Sequence, residues 1–349
     1  MQTRRDFLRL VGAAAAGGVL TACTSLPQIV APGQSASVDL VLGHFVPTNH
    51  EYHVRVLEPW AKQVEQRSGG RLRITIHPGG ALGPAPAQYK SVVAGAMDIG
   101  FGVQSYTPGR FPLSEGFELP FLWRSAEAST TTLQSLYRTF PALRDEYADV
   151  KVLGLWTNGP AHLLTTRKQV RALEDVRGLK VRSPGPIHNR TIEALGGAPL
   201  TMPVSEMYDA LERGVASGTI NSPSVFTSFN LVDIVRYAAV GRFTVASFFL
   251  VMNADRWRSL PDSNKRLIDE LSGETLTMHA ARVSDETDSA AIDAARAKGV
   301  EFYELPAAEL DRWSAATAGV SEQWAGEVEA KGLPGRRFLE QLQRASSTA

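Results

Sequence analysis

The chain balances 36 basic against 36 acidic residues in 349 and carries a single cysteine. That neutrality excludes the basic face that nucleic-acid binding requires, and one cysteine leaves no internal disulfide. The length exceeds what one compact core usually holds, so two lobes are expected.

The amino terminus reads "TRRDFLRLVGAAAAGGVL" (Thr3–Leu20), with Arg4 and Arg5 ahead of a modestly apolar Ala/Gly run. This is the pattern of a twin-arginine export signal. Its apolar run, Leu8 to Leu20, is 13 residues long, short of the roughly 20 that span a bilayer as a helix. The run ends in "LTAC", which resembles a bacterial lipobox whose cysteine, Cys23, is lipid-modified and becomes the new amino terminus. Cleavage farther on, near Ala31, is the alternative and would discard Cys23. Residues 1–22 are thus expected to be a signal peptide and 23–37 a Ser/Pro/Gly-rich linker. Loss of Arg4, Arg5, Arg9 and Asp6 leaves 33 basic and 35 acidic residues, from 36 of each.

The alternation in "VDLVLGHF" (Val38–Phe45) predicts a strand, and Val54, Leu57, Trp60, Ala61 and Val64 recur at helical spacing between His50 and Ser68. A turn and strand follow in "GGRLRITIH" (Gly69–His77), then a helix from Pro86 to Ala94 and a strand "MDIGF" (Met97–Phe101). This order argues an α/β lobe with a largely parallel sheet. Beyond a polar helical stretch, Ala126 to Tyr147, "VKVLGLW" and "AHLLTT" read as strands. A second α/β unit then contains "LKVRS", a helix from Pro186 to Leu195, and helical "SEMYDALERG" (Ser205–Gly214). "ASFFLVMN" (Ala246–Asn253) returns to strand. Pro261 to Lys298 is a long helical pattern broken near Ser272-Gly273, long enough to lie across both lobes. The expected division is 38–159 with 248–287 in lobe 1, and 160–247 with 288–344 in lobe 2.

Catalytic motifs fare poorly. "HEYH" (His50–His53) spaces its histidines three apart, where a zinc-protease helix needs four, and shows no third ligand; a surface helix is expected. "GVASG" (Gly214–Gly218) is one position out of register for a nucleophile elbow, which makes Ser217 a turn residue. "HPGGALG" (His77–Gly83) lacks the lysine of a phosphate loop. No metal or cofactor is expected. The stretch "GLKVRSPGPIHNR" (Gly178–Arg190) is more informative. It delivers Arg182 from the end of a short apolar strand into a Ser-Pro-Gly turn before a helix start, a setting in which an arginine can face a bound anion.

"GGRLRITIHPGGALG", "VAGAMDIGF", "ELPFL", "LEDVRGLKVRSPG", "LGGAPLTMPVSEMYDALERGVASG" and "VMNADRWRSLP" occur in this order. With them the chain resembles the extracytoplasmic solute-binding subunits of TRAP transporters, the DctP-like family, from about Val38 to Arg344. The resemblance implies a two-lobed α/β fold of the type II-like periplasmic binding-protein kind, with a ligand cleft between lobes and a long helix spanning both. It implies capture of an organic acid for TRAP membrane permease subunits, and no covalent chemistry. It places Arg182 where the family's arginine pairs with the ligand carboxylate, a role suited to the two parallel donors of a guanidinium. Asn221 falls on the asparagine of the family's "DGQENP"-like segment, here "SGTINSP", with Ser217 and Ile220 replacing the usual acidic residues. His162, 20 residues before Arg182, falls where many relatives have a second cation, and a histidine there weakens the case for a dicarboxylate or sugar acid. His44, Gln104 and Tyr106 fall on the first-lobe wall. Phe45, Phe101, Trp156, Val204 and Phe226 fall at or next to cleft positions, and acidic partners for an amino group are scarce. One carboxylate clamp beside an apolar wall suits an aromatic or branched monocarboxylate. The competing class is an exported enzyme, a hydrolase acting on a carboxylate substrate.

Overall fold

The computed structural model describes residues 37–347. The twin-arginine segment and Cys23 lie outside the described residues. In chain order the strands are β1 (Val38–His44), β2 (Leu72–His77), β3 (Ile99–Val103), β4 (Val150–Thr157), β5 (His162–Thr165) and β6 (Lys180–Ser183). They continue with β7 (Ala198–Thr201), β8 (Gly218–Asn221), β9 (Tyr237–Val240), β10 (Ser247–Asn253) and β11 (Glu301–Glu304). They form two sheets, ordered β2-β1-β3-β10-β4 and β11-β9-β5-β8-β6-β7. In the first, β1 runs parallel to both β2 and β3, as the strand–helix alternation predicts, while β10 is antiparallel to β3 and β4.

The chain crosses between the sheets at 158–161 and 241–246, and the two crossings are bonded to each other. Asn158 N donates to Ala246 O at 3.1 Å, Ala161 N to Thr244 O at 2.7 Å and Phe243 N to Ala161 O at 2.8 Å. The long helical pattern is two helices, Asp262–Leu271 and Gly273–Ala297. The break falls at Gly273, whose φ of +60° lies in the left-handed region that a glycine adopts without strain. The second of these helices packs on β4 and the Ala126–Thr139 helix of the first lobe and on the Val225–Ser228 turn of the second. The protein is therefore a two-lobed α/β molecule with a long helix spanning both lobes.

Two expectations need correction. The Gly335–Ser346 helix does not stay with lobe 2: Phe338, Leu339 and Leu342 join the apolar cluster of Phe117, Leu133 and Phe140, with the Phe338 and Phe140 rings 4.8 Å apart. Its apolar stripe finds a better partner across the lobe boundary. The "HEYH" segment is not a surface helix either. A π-helical turn at His53–Leu57 adds a residue to the helical repeat, which leaves Val54 41% exposed and turns His50, Glu51, Tyr52 and His53 inward.

Candidate functional site

The sequence around Arg182 folds as its turn chemistry dictates. β6 pairs parallel with β7 and β8, and Ser183-Pro184-Gly185 then leads into the Pro186–Ala194 helix with proline in its first turn. Gly185 is required for its size: a Cβ there would lie 2.7 Å from Ser105 Cβ of the opposite lobe. This close approach seats Arg182 against the first lobe, where it is 2% exposed.

Its donors divide sharply. Nε and Nη2 donate to the Met202 carbonyl at 3.0 and 2.8 Å, and Nη2 also donates to the Tyr106 hydroxyl at 3.2 Å. Among the described residues Nη1 has no partner, and no carboxylate pairs with this guanidinium. The Tyr106 oxygen also accepts from the Val204 amide at 2.9 Å. Both its lone pairs are filled, so its own hydrogen remains to be donated. A buried cation without a counter-charge is costly, and two donors without acceptors add to that cost.

Arg182 and Tyr106 belong to a pocket of about 580 Å3, part of it continuous with solvent. Its middle is apolar, formed by Phe45, Val103, Val204, Ile220 and Phe248. Asn221 lines it at the end of β8. Its Oδ1 accepts from Ser222 N at 2.9 Å, which fixes the amide with Nδ2 on the other side, 3.6 Å from Met207 Sδ. His188, in the first turn after Arg182, also lines the pocket. Its Nδ1 lies 3.3 Å from Glu118 Oε2, and both residues are buried.

At the other end the lining is polar again and comes from the segment that was expected on the surface: His50, Glu51 and Tyr52, facing Ser222 and Ser224. Ser224 N donates to Asp288 Oδ1 at 2.7 Å, and burial raises the Asp288 carboxyl well above its ordinary range. Ser228 Oγ donates to Glu51 Oε2 at 2.6 Å across the lobe boundary. With the Tyr106 contacts, this bond shows the lobes closed on one another.

Of the residues singled out from sequence, Arg182, Asn221, Tyr106, Val204 and Phe45 line the pocket. The others do not. His44 is held behind the wall by His53, Nε2 to Nδ1 at 2.9 Å, and burial lowers its pKa to about 3. Gln104 turns away, donating to Tyr147 Oη at 2.6 Å. Trp156 and Phe101 stack on each other 5.3 Å apart within the core, and Phe226 packs against Phe302. His162 lies beside the pocket, opposite Asn221 in the β5–β8 register, and burial lowers its pKa to about 4. Sequence reasoning missed the His50–Tyr52 end and Phe248. The second could have been found, since it follows a chain crossing on a strand whose alternate residues face the cleft.

Among the described residues no three His, Cys, Asp or Glu side chains gather in a metal-binding group, and no helix is long and apolar enough to cross a membrane.

A closed two-lobed fold with a partly apolar pocket at the lobe boundary, lined by a buried arginine, is the architecture of a solute-binding protein. The sequence matches the DctP family, bacterial extracellular solute-binding protein family 7, over residues 42–327, and the chain belongs to that family. It is an extracytoplasmic solute-binding protein of the TRAP transporter class. It is similar to the C4-dicarboxylate-binding periplasmic protein DctP of Rhodobacter capsulatus, at 24% identity over 95% of this chain and 97% of that one. Among solved structures it is similar to a marine metagenome TRAP solute-binding protein specific for aromatic acid ligands, in complex with 3-hydroxybenzoate. That match has a TM-score of 0.86 and 29% identity, covering 90% of this chain and 99% of the other. A TRAP solute-binding protein from Rhodoferax ferrireducens with copurified benzoate gives 0.85 and 30%, covering 89% and 98%.

Proposed function

We propose that this protein captures an aromatic monocarboxylate outside the cytoplasmic membrane, clamps its carboxylate with Arg182, and delivers it to a TRAP permease. The observation that carries this reading is the state of Arg182: 2% exposed, without a carboxylate partner, its Nη1 free at one end of an apolar pocket. Nη1 and the Tyr106 hydrogen supply the two donors that a carboxylate's oxygens take up, and Asn221 Nδ2 lies on the same wall. Closure removes water, so this pairing counts for more than it would in solvent.

The choice of one carboxylate over two follows from His162. With a pKa of about 4 it is neutral near pH 7 and supplies no second positive charge. The ligands of the aromatic-acid and benzoate-bound relatives support the ring, and Phe45 and Phe248 offer it two faces. The reaction-free role is tested by incubating the purified protein with benzoate and with 3-hydroxybenzoate, measuring affinity, then recovering the acid. Unchanged acid bound in one-to-one ratio supports the reading; conversion to product, or no binding, contradicts it.

Export by the twin-arginine route and anchoring through a lipid on Cys23 complete the proposal. A lipid on a linker holds the protein at the membrane without touching the pocket. Cys23→Ser is expected to shift the protein from the membrane to the soluble fraction with ligand affinity unchanged. Continued membrane association of that variant contradicts the anchor.

A further inference from the structure

The pocket has a second polar end that the carboxylate clamp does not use. Glu51 is 5% exposed and lines the pocket. Its Oε2 accepts from Ser228 Oγ at 2.6 Å and lies 3.1 Å from His50 Nδ1. Its Oε1 has no hydrogen-bond partner, and no lysine or arginine pairs with Glu51 among the described residues. His50 lines the pocket beside it; its Nδ1 accepts from the Tyr52 amide at 3.2 Å, and its Nε2 has no partner among the described residues. Among the described residues no hydrogen bond joins this group to the one around Arg182, Met202, Tyr106 and Val204, and the two abut different apolar lining residues, Phe45 against Tyr106 at 5.6 Å and Phe248 against Tyr52 at 5.2 Å, so the pocket carries two separate polar groups. A buried acceptor left without a donor is costly, and an unsubstituted ring would seal Glu51 in that condition.

We propose that Glu51 Oε1 accepts a hydrogen bond from a hydroxyl carried on the ligand's ring, remote from the carboxylate, so that the protein selects hydroxylated aromatic acids over their unsubstituted parents. This rests on the proposed carboxylate clamp at Arg182 and adds the class of substituent that the far end reads. A hydroxyl both donates and accepts, so it satisfies Oε1 and can accept from His50 Nε2, which carries the ring hydrogen when Nδ1 accepts from the Tyr52 amide; an ammonium has three hydrogens to place and accepts none. A second carboxylate would face Glu51 as a like charge.

The test is calorimetric titration of the wild type, Glu51→Leu and Glu51→Gln with benzoate, phenylacetate, their 2-, 3- and 4-hydroxy derivatives, and the matching methoxy and amino compounds. One hydroxy isomer is expected to bind the wild type about 10- to 100-fold more tightly than its parent, the range for a hydrogen bond to a charged acceptor. Its methoxy counterpart, which accepts but cannot donate, should lose that gain. In Glu51→Leu the preference should vanish while the parent acid still binds. Glu51→Gln, which alters the shape less, serves should the leucine variant fail to fold: its NH2 can donate where Oε1 accepted, so the methoxy counterpart should then bind about as tightly as the hydroxy acid. Equal affinities for all hydroxy acids and their parents would overturn the inference. So would a preference for the hydroxy over the methoxy compound that survives in both variants, or an amino compound that outbinds its hydroxy counterpart in the wild type. If none of these acids binds the wild type, the clamp reading itself fails and this inference falls with it.

Discussion

The Arg182 end and the Glu51 end of the pocket reach the same burial by different routes. Arg182 stands at the end of a parallel strand, and Gly185 lets the following turn press against Ser105 of the other lobe. Glu51 comes from the first turn of a helix that a π-helical insertion has rotated, so that its polar residues face inward. The strand-borne end is announced by local chemistry, because an apolar strand, a charged residue and a Ser-Pro-Gly turn occur in immediate succession. The helix-borne end is disguised, because a 3.6-residue period assigns His50–His53 to the solvent side and only the tertiary structure shows the extra residue in the turn. Strand ends therefore reveal a site in sequence more readily than helix starts do.

The largest expected effect tests the first end. Arg182→Ala leaves the ligand carboxylate buried without its partner, a loss of about 2–5 kcal/mol. That corresponds to a fall in affinity of roughly 30-fold to several thousandfold. Arg182→Lys should recover little of it, because an ammonium cannot reproduce the planar fork that holds the Met202 carbonyl with Nε and Nη2 while aiming Nη1 at the carboxylate. Titration of both variants, with melting curves taken ligand-free, checks this; near-equal affinities would remove Arg182 from the site.

Next in size is the claim that Arg182 carries the positive charge alone. His162 has an unfolded pKa near 6.5 and a folded pKa lowered to about 4 by burial. Between these values the unfolded chain binds the proton and the folded one does not. The stability associated with a neutral His162 is therefore full above pH 6.5 and lost as pH falls to about 4. The loss is on the order of 3 kcal/mol. Chemical denaturation of the wild type and His162→Gln across pH 4–7 should show the difference between them shrinking in that direction. A difference independent of pH would mean that His162 titrates normally and can act as a cation.

A smaller effect is expected at Tyr106. Tyr106→Phe removes one donor to the carboxylate and leaves the Val204 amide unpaired, at a cost of about 1.5 kcal/mol or roughly tenfold in affinity. Unchanged affinity would show that the hydroxyl hydrogen points elsewhere.

Much of the architecture was legible beforehand: the alternation of strands and helices, the helix break at Ser272-Gly273, and the place of Arg182 all follow from periodicity and turn chemistry. Three wall assignments failed for one physical reason. His44, Gln104 and Trp156 lie in or next to strands at the right height, but each is packed behind the lining on a core partner, His53, Tyr147 and Phe101. Sequence position gave their level in the lobe and not their depth behind the wall. The Gly335–Ser346 helix misled in a similar way, since nothing in its amphipathic pattern says which lobe supplies Phe117 and Phe140 to cover it.

The most direct test of the central claim is a crystal structure of the protein with 3-hydroxybenzoate bound. The account predicts the carboxylate oxygens at about 2.7–3.2 Å from Arg182 Nη1 and the Tyr106 hydroxyl, with the ring in the apolar middle of the pocket. A carboxylate bound at the Glu51 end, or held by residues other than Arg182 while its guanidinium keeps only its protein contacts, would contradict it.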